Sequence, residues 1–341
     1  MDNYKLSKID KDTPHPFVLR DILADSAVYH STVFPLKHVS VEGIKTYDAI
    51  RQIIFESIKD PLLNDQIMET LKWLVYEKWN DKPKKQLELF ECPHCHKTLA
   101  TLPYDMETGK CDNCDGDLFI TDMLGFHQEM AEEAAPDSIA SNYMMIHEFL
   151  MLLSGIRYYW EKDKSILGDA LFIKDGSLSI RAQYSKLVEP MRSFLEYSHK
   201  RGIDIHIISQ EKTGYFCDHL ELIGPSAPEG SMFIPDGKYI KEEVQSRPNE
   251  GMPYGRDTNY GAKVFVKMNN YHKMVLNIPF GRYKEAPKIT DLIGIDKIFS
   301  TLPIVLSNKF EGALLPIELA HGIASLSTYP SAQILKIFSN I

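Results

Sequence analysis

A chain of 341 residues, 44% hydrophobic and 25% charged, has the composition of an ordinary soluble globular protein and is long enough for two or three domains. Its formal net charge of -9 argues against a protein coated in basic charge for DNA, but not against a nucleic-acid enzyme whose acids are offset by a metal. No apolar run reaches the roughly eighteen residues of a membrane span, and the polar opening MDNYKLSKIDKDTPHP does not read as a secretory leader, so a cytoplasmic protein without a membrane partner is expected.

Residues 14–80 read as mostly helical. TYDAIRQIIFESI places Ile50, Ile53 and Ile54 at helical spacing, and LNDQIMETLKWLVYEKW does the same with Ile67, Leu71, Leu74 and Val75. Asn64 or Asp65 is placed to cap the second helix. The polar segment NDKPKKQ, 80–86, reads as a linker, and its Lys82, Lys84 and Lys85 as a solvated surface. His199, Lys200 and Arg201 form a second small basic cluster of the same kind.

A cysteine-rich module follows. CPHC and CDNC supply Cys92, Cys95, Cys111 and Cys114, separated by fifteen residues. That spacing marks a structural zinc site, because each pair sits on a tight turn with both thiolates facing one tetrahedral ion. Four sulfurs fill the coordination shell, so His94 and His96 are not needed and no position is open for chemistry. The ribbon is then structural, or a docking surface for nucleic acid or protein. Cys217 is left over as a small apolar core residue.

Residues 123–160 return to helix, and EKDKS, 161–165, is a charged boundary. Two motifs here are misleading. His147-Glu148 lacks the second histidine of HExxH, and HQEMAEE, 127–133, reads as a solvated helix face. GDALFIK, 168–174, is a strand. SKLVEPMRSFLEYSHKRG is an amphipathic helix closed by Gly202, and IDIHIIS, 203–209, is a second strand. Strand, helix, strand is a parallel crossover. AKVFVKM and KMVLNIP flank NNYH as an antiparallel hairpin, so the second half is an α/β domain with a mixed sheet.

Both strands of a parallel pair end on the same sheet edge, where α/β folds place their sites. Asp175 follows the first strand and Glu211 and Lys212 follow the second, so the crossover brings them together. MFIPDGKYI repeats the pattern of apolar residues followed by Asp236 and Gly237. Each Asp-Gly is also an ordinary turn. Several carboxylates on one edge repel unless a divalent cation holds them, the arrangement of metal-assisted phosphodiester hydrolysis.

In order and spacing these segments resemble the NurA-type nucleases. The matching segments are Asp175-Gly176-Ser177, the IISQEKTG turn with Lys212, IPDGKYI, the strand pair ending in IPF, and LLPIELAHGIA with Pro316, Leu319, Ala320 and His321. The resemblance covers about 166–330, roughly half the chain. It implies an RNase H-like mixed sheet, with a helical N-terminal region and inserted zinc ribbon added. It also implies Mn2+- or Mg2+-dependent cleavage of DNA, a homodimer, and a HerA-type hexameric ATPase as partner. The chain has no Walker A motif, so any motor is another chain. Asp175 and Asp236 become the expected metal ligands, Glu211 a third, and Lys212 a site residue. His321 is the group that orients water or protonates the leaving oxygen. Where the family often carries an acid before the proline, this chain has Asn277. The expected regions are 1–88 helical, 89–122 zinc ribbon, 123–165 helical connector and 166–341 nuclease domain. The alternatives are a non-catalytic scaffold that dimerises, docks the motor and touches DNA through its ribbon, and a zinc-ribbon adaptor in another nucleic-acid machine. Repair of DNA ends and defence against foreign DNA both fit.

Overall fold

The computed structural model describes residues 32, 34, 43–62, 65–82, 87–97, 100–132, 134–247, 251–307, 309, 312–322 and 324. Asn64, Lys84 and Lys85 lie outside them. Thr32–Thr301 form one compact unit, and the described residues from Leu302 onward belong to a second.

Helix α1, Thr46–Lys59, buries Ile50, Ile54 and Ile58, one residue per turn on a single stripe. Helix α2, Ile67–Val75, buries Ile67, Leu71, Leu74 and Val75, the face that the periodicity predicts. Two short antiparallel hairpins follow, β1 (Leu87–Phe90) with β2 (Ala100–Pro103) and β3 (Thr108–Lys110) with β4 (Asp117–Phe119). The helix expected over 123–160 starts later, because Gly125 takes φ 83° between two 3-10 turns and Pro136 precedes the first regular turn. Helix α3 then runs over Ile139–Lys162 and buries Ile146, Phe149, Leu150, Leu153 and Ile156. By length and composition it could cross a bilayer, and half of its most apolar stretch is buried.

Gly168 and Asp169 belong to a short helix α4, Lys164–Asp169, so the next strand, β5, is only Phe172–Asp175. Helix α5, Val188–Lys200, carries the chain over to β6, Ile207–Glu211, and Gly202 at φ 75° closes it. Strand β6 starts later than the run of β-branched residues suggests. Then come α6 (Tyr215–Ile223), β7 (Ser231–Phe233), β8 (Gly261–Lys267), β9 (Lys273–Pro279) and α7 (Ile295–Thr301). The five-stranded sheet has the order β5-β6-β9-β8-β7. Strands β5 and β6 are parallel, and β8 and β9 form the expected hairpin, with Gly261 opposite Pro279 and Lys267 opposite Lys273. The remaining pairings are antiparallel, so the protein is mixed α/β with a mixed sheet.

One buried cluster joins these segments. It contains Ile50 and Ile54 of α1, Leu71 of α2, Cys92 and Cys111 of the ribbon, Leu150 of α3, Phe194 of α5 and Ile207 of β6. A smaller cluster of Phe216, Leu220, Ile240, Val244, Phe265 and Val275 packs α6 on the sheet.

Candidate functional site

Each cysteine pair forms the same knuckle. Cys92 N–H donates to Lys97 O and His96 N–H to Cys92 O; Cys111 N–H donates to Gly116 O and Asp115 N–H to Cys111 O. The residue after each pair, His96 or Asp115, takes φ 56°, a left-handed conformation that short polar side chains tolerate better than most. The two knuckles bring the four sulfurs within 4.8 Å of one another, with Cys92 to Cys114 at 3.7 Å and Cys95 to Cys111 at 3.9 Å. Sulfurs about 2.3 Å from a tetrahedral zinc sit about 3.8 Å apart, so the cluster fits a metal such as zinc. The Lys97 backbone N–H pulls the Cys95 thiol down to about 6, while burial pushes Cys92 up to about 12.

The histidines beside the sulfurs point elsewhere. His94 Nε2 lies 2.8 Å from Asp117 O and 3.3 Å from Arg51 Nη1, and His96 Nδ1 lies 3.1 Å from Glu91. Arg51, on α1, also donates from Nε and Nη2 to both oxygens of buried Asp122 at 2.9 Å, from Nη1 to Asp48 and from Nη2 to Asp117 O. Burial opposes the Arg51 charge, and Asp122 and Asp48 more than offset it, leaving its pKa raised. One guanidinium thus ties α1 to both cysteine knuckles and to Asp122, beside further contacts such as Tyr47 Oη donating to Pro93 O at 2.7 Å.

The second centre lies where β5 and β6 end. Asp175 pairs in parallel register with Gln210, one residue before Glu211. Lys212 Nζ donates to Asp175 Oδ2 at 3.1 Å. The Glu211 carboxylate accepts from Lys263 Nζ and, at 3.1 Å, from Asn277 Nδ2. So the crossover brings Asp175, Glu211 and Lys212 to one end of the sheet, each acid beside a lysine. Asn277, at the position of the family's acid, is a donor to Glu211.

Asp236 is placed elsewhere. It follows β7, which lies on the sheet edge opposite β5, four strand spacings of about 4.8 Å away. Its side chain accepts from Tyr239 N–H at 2.7 Å and caps the short helix Gly237–Tyr239. The Asp-Gly turn is as expected, and the strand before it enters at the sheet edge opposite β5. His321 is exposed on the helical stretch 315–322, in the unit to which the described residues from Leu302 onward belong. Among the described residues, the cysteines are the one group of three or more His, Cys, Asp or Glu side chains close enough to share a metal. Cys217 is half-buried and packs at the edge of the smaller cluster, its Sγ 3.3 Å from Glu211 O.

Sequence reasoning missed a buried polar row. Lys174, Ser209, Asn277 and Lys263 are cross-strand partners in succession over β5, β6, β9 and β8, so their side chains share one face. Ser209, Asn277 and Lys263 are buried, and the Ser209 hydroxyl has no hydrogen-bond partner among the described residues. Burial lowers the pKa of Lys263 against the pull of Glu211. Burial likewise lowers Lys174 against the pull of Glu148, Asp175 and Glu211. Glu148 is raised by burial, with Lys174 opposing and Asp175 adding to the rise. A signal existed: Lys263, Phe265 and Lys267 alternate on one face of a strand whose face is otherwise core. Lys267 has a structural use, donating to Gly224 O and Ala227 O at 2.9 Å.

Comparison of the chain with protein-family models, curated proteins and solved structures finds no match.

Proposed function

We propose that this protein is a divalent-metal-dependent DNA nuclease of the NurA type, with zinc in its cysteine cluster. The observation that supports the reading best is that Asp175 and Glu211 end adjacent parallel strands, flanked by Lys174, Lys212 and Lys263. Carboxylates at a rigid strand end suit Mn2+ or Mg2+, and ammonium groups beside them suit the charge of a phosphodiester. Reading the sheet as RNase H-like, the protein as a cytoplasmic homodimer, and a HerA-type hexameric ATPase as the motor that feeds it DNA rests on the sequence resemblance. His321 is assigned to the water or the leaving group on the same basis. End processing in repair and defence against phage both suit such a pair.

The test is DNA cleavage in manganese or magnesium by the parent, Asp175→Asn and His321→Ala, each checked for folding. Loss of an essential ligand is expected to lower the rate on the order of a hundredfold, since bound metal supplies both nucleophile and charge stabilisation. His321→Ala is expected to lower turnover with metal affinity kept. Cleavage by Asp175→Asn at the parent's rate would sink the assignment.

A second reading, a non-catalytic scaffold that dimerises, docks the motor and contacts DNA through the ribbon, is favoured by Asn277 and by the lysine partner that each acid already has. No DNA cleavage by the dimeric, zinc-loaded protein with its motor would select it.

A further inference from the structure

Helix α3 has two apolar sides, and the core uses one of them. Ile146, Phe149, Leu150, Leu153 and Ile156 are buried in the large cluster. The opposite side carries Met144, Met151, Leu152, Tyr158 and Tyr159 on one stripe at helical spacing. Met144 and Tyr158 are 58% and 50% exposed, and the other three are only partly buried. Gly155 lies at the middle of this stripe, and the packing of the chain does not require it. A Cβ there would meet only the Phe172 ring, at an ordinary 3.8 Å. Glycine inside a helix is less favourable than alanine, so its place here points to something outside the chain that approaches the backbone closely. The stripe's two charges stand symmetrically about it, Glu148 seven residues before and Lys162 seven after. Both are exposed; Glu148 reaches Lys174 only at 3.9 Å, and Lys162 makes no ion pair among the described residues. A stripe with a small residue at its centre and opposite charges at equal distances on either side is complementary to itself when turned end for end.

We propose that the outer stripe of α3 is the dimer surface of this protein, covered by the same stripe of a second copy in antiparallel pairing about Gly155. A twofold axis there sets Glu148 of each copy opposite Lys162 of the other, about 10.5 Å from the axis at 1.5 Å per residue. Met151 and Leu152 then face Tyr159 and Tyr158. The apolar contacts supply the affinity, and the charge pairs fix the direction and register. A bilayer suits the stripe less well, because an acid stands within it. The inference deepens the homodimer reading above by naming its surface, on a helix outside the region that resembles a nuclease. It also brings Lys162 of the second copy to the rim of the Asp175 strand end, since Glu148 is the acid beside Lys174, whose Nζ donates to Asp175 O at 2.7 Å.

The test is analytical ultracentrifugation of the full-length, zinc-loaded chain, with the far-UV spectrum of each variant checked against the parent's. The parent is expected to be a dimer. Gly155→Leu fills the crossing point and is expected to raise the dimer dissociation constant by about tenfold or more while helix content is kept. Gly155→Ala, which meets only an ordinary contact within its own chain, serves if leucine does not fold there. Glu148→Lys and Lys162→Glu each set like charges opposite one another and are each expected to weaken the dimer. Mixed together, the two variants are expected to form a heterodimer, because both contacts are then again between opposite charges. Recovery in the mixture cannot come from a change within either chain, such as the loss of the Glu148–Lys174 contact. A dimer unaffected by the Gly155 variants, with no preference for the mixed pair, overturns the α3 assignment and leaves the homodimer reading standing. A parent that stays monomeric at about 50 µM, well above a micromolar dissociation constant, overturns both. A monomer that binds phosphatidylcholine vesicles through Met144 and Tyr158 likewise overturns the inference and makes a membrane the occupant. DNA cleavage is scored separately, so a failed nuclease reading leaves the dimer surface standing.

Discussion

Gly116 has no room for a methyl group. A Cβ there would lie 2.4 Å from Cδ2 of His94, and that ring cannot easily move while it contacts Arg51 and the carbonyl of Asp117. Gly116→Ala is expected to cost about 1–3 kcal/mol, the usual penalty for forcing extra volume into a packed site. A chemical denaturation midpoint equal to the parent's would show that the knuckle can open. Asp236 supports a different expectation. As a helix cap its loss in Asp236→Ala is expected to cost about 1 kcal/mol, and Mn2+ affinity is expected to hold, since its carboxylate is engaged in the cap and its strand lies at the opposite sheet edge from β5. A fall in Mn2+ affinity with stability unchanged would assign it to the metal instead. His127 adds a pH dependence. Its ring is buried, neither nitrogen has a hydrogen-bond partner among the described residues, and burial lowers its pKa despite Asp122 and Glu91, with Arg51 and His96 adding to the fall. A folded-state pKa below the unfolded value, about 6.5, means the unfolded chain binds the proton more readily. Stability is therefore unaffected above that value and falls as the pH drops below it. His127→Leu is expected to flatten the decline in melting temperature between pH 7 and 5, and an identical slope in parent and variant would place the acid sensitivity elsewhere.

The elements show where sequence patterns carry and where they stop. The crossover and the β8–β9 hairpin were legible because alternation of apolar and polar residues, and one amphipathic stripe, specify them locally. The late start of α3 was not, since the apolar residues of 123–138 are buried in 3-10 turns around Gly125 and mimic a helix by composition. Strand order was not legible either. The Asp-Gly turn after β7 looks like the one after β5, and nothing local says that β7 enters at the opposite edge. The cysteine cluster was readable outright, because its ligands are close in sequence; the polar row was hidden because its four members come from four strands. The buried ion pair between α1 and the end of the ribbon is also non-local. Arg51 and Asp122 are both buried and doubly hydrogen-bonded. Arg51→Met strands a buried carboxylate and is expected to cost about 3–5 kcal/mol, whereas Arg51→Met with Asp122→Asn recovers part of the loss. A single variant as stable as the parent would mean that Asp122 finds another donor.

At the scale of the molecule, the ribbon is not an appendage. Cys92 and Cys111 are buried in the same cluster as Ile50, Leu150, Phe194 and Ile207, so a metal held by the four cysteines supports the core that also carries β6 and its site. Without metal, thiolates this close repel or must be protonated, and burial already favours the protonated form of Cys92. Metal binding to the folded chain is folding free energy, because the unfolded chain has no preformed site. Stripping the metal with a chelator is therefore expected to lower the thermal midpoint of the whole 32–301 unit in a single transition, with far-UV and aromatic near-UV signals falling together. The aromatic contacts of Trp73, Trp79 and Trp160 with Phe194, remote in sequence from the cysteines, make the near-UV signal a probe of that shared core. Acid acts in the same direction, since each sulfur must lose its proton to bind, so metal affinity weakens as the pH falls. Two separate transitions after chelation, with the tryptophan signal holding to the parent's temperature, would show that the ribbon unfolds alone and that its cysteines stabilise only themselves.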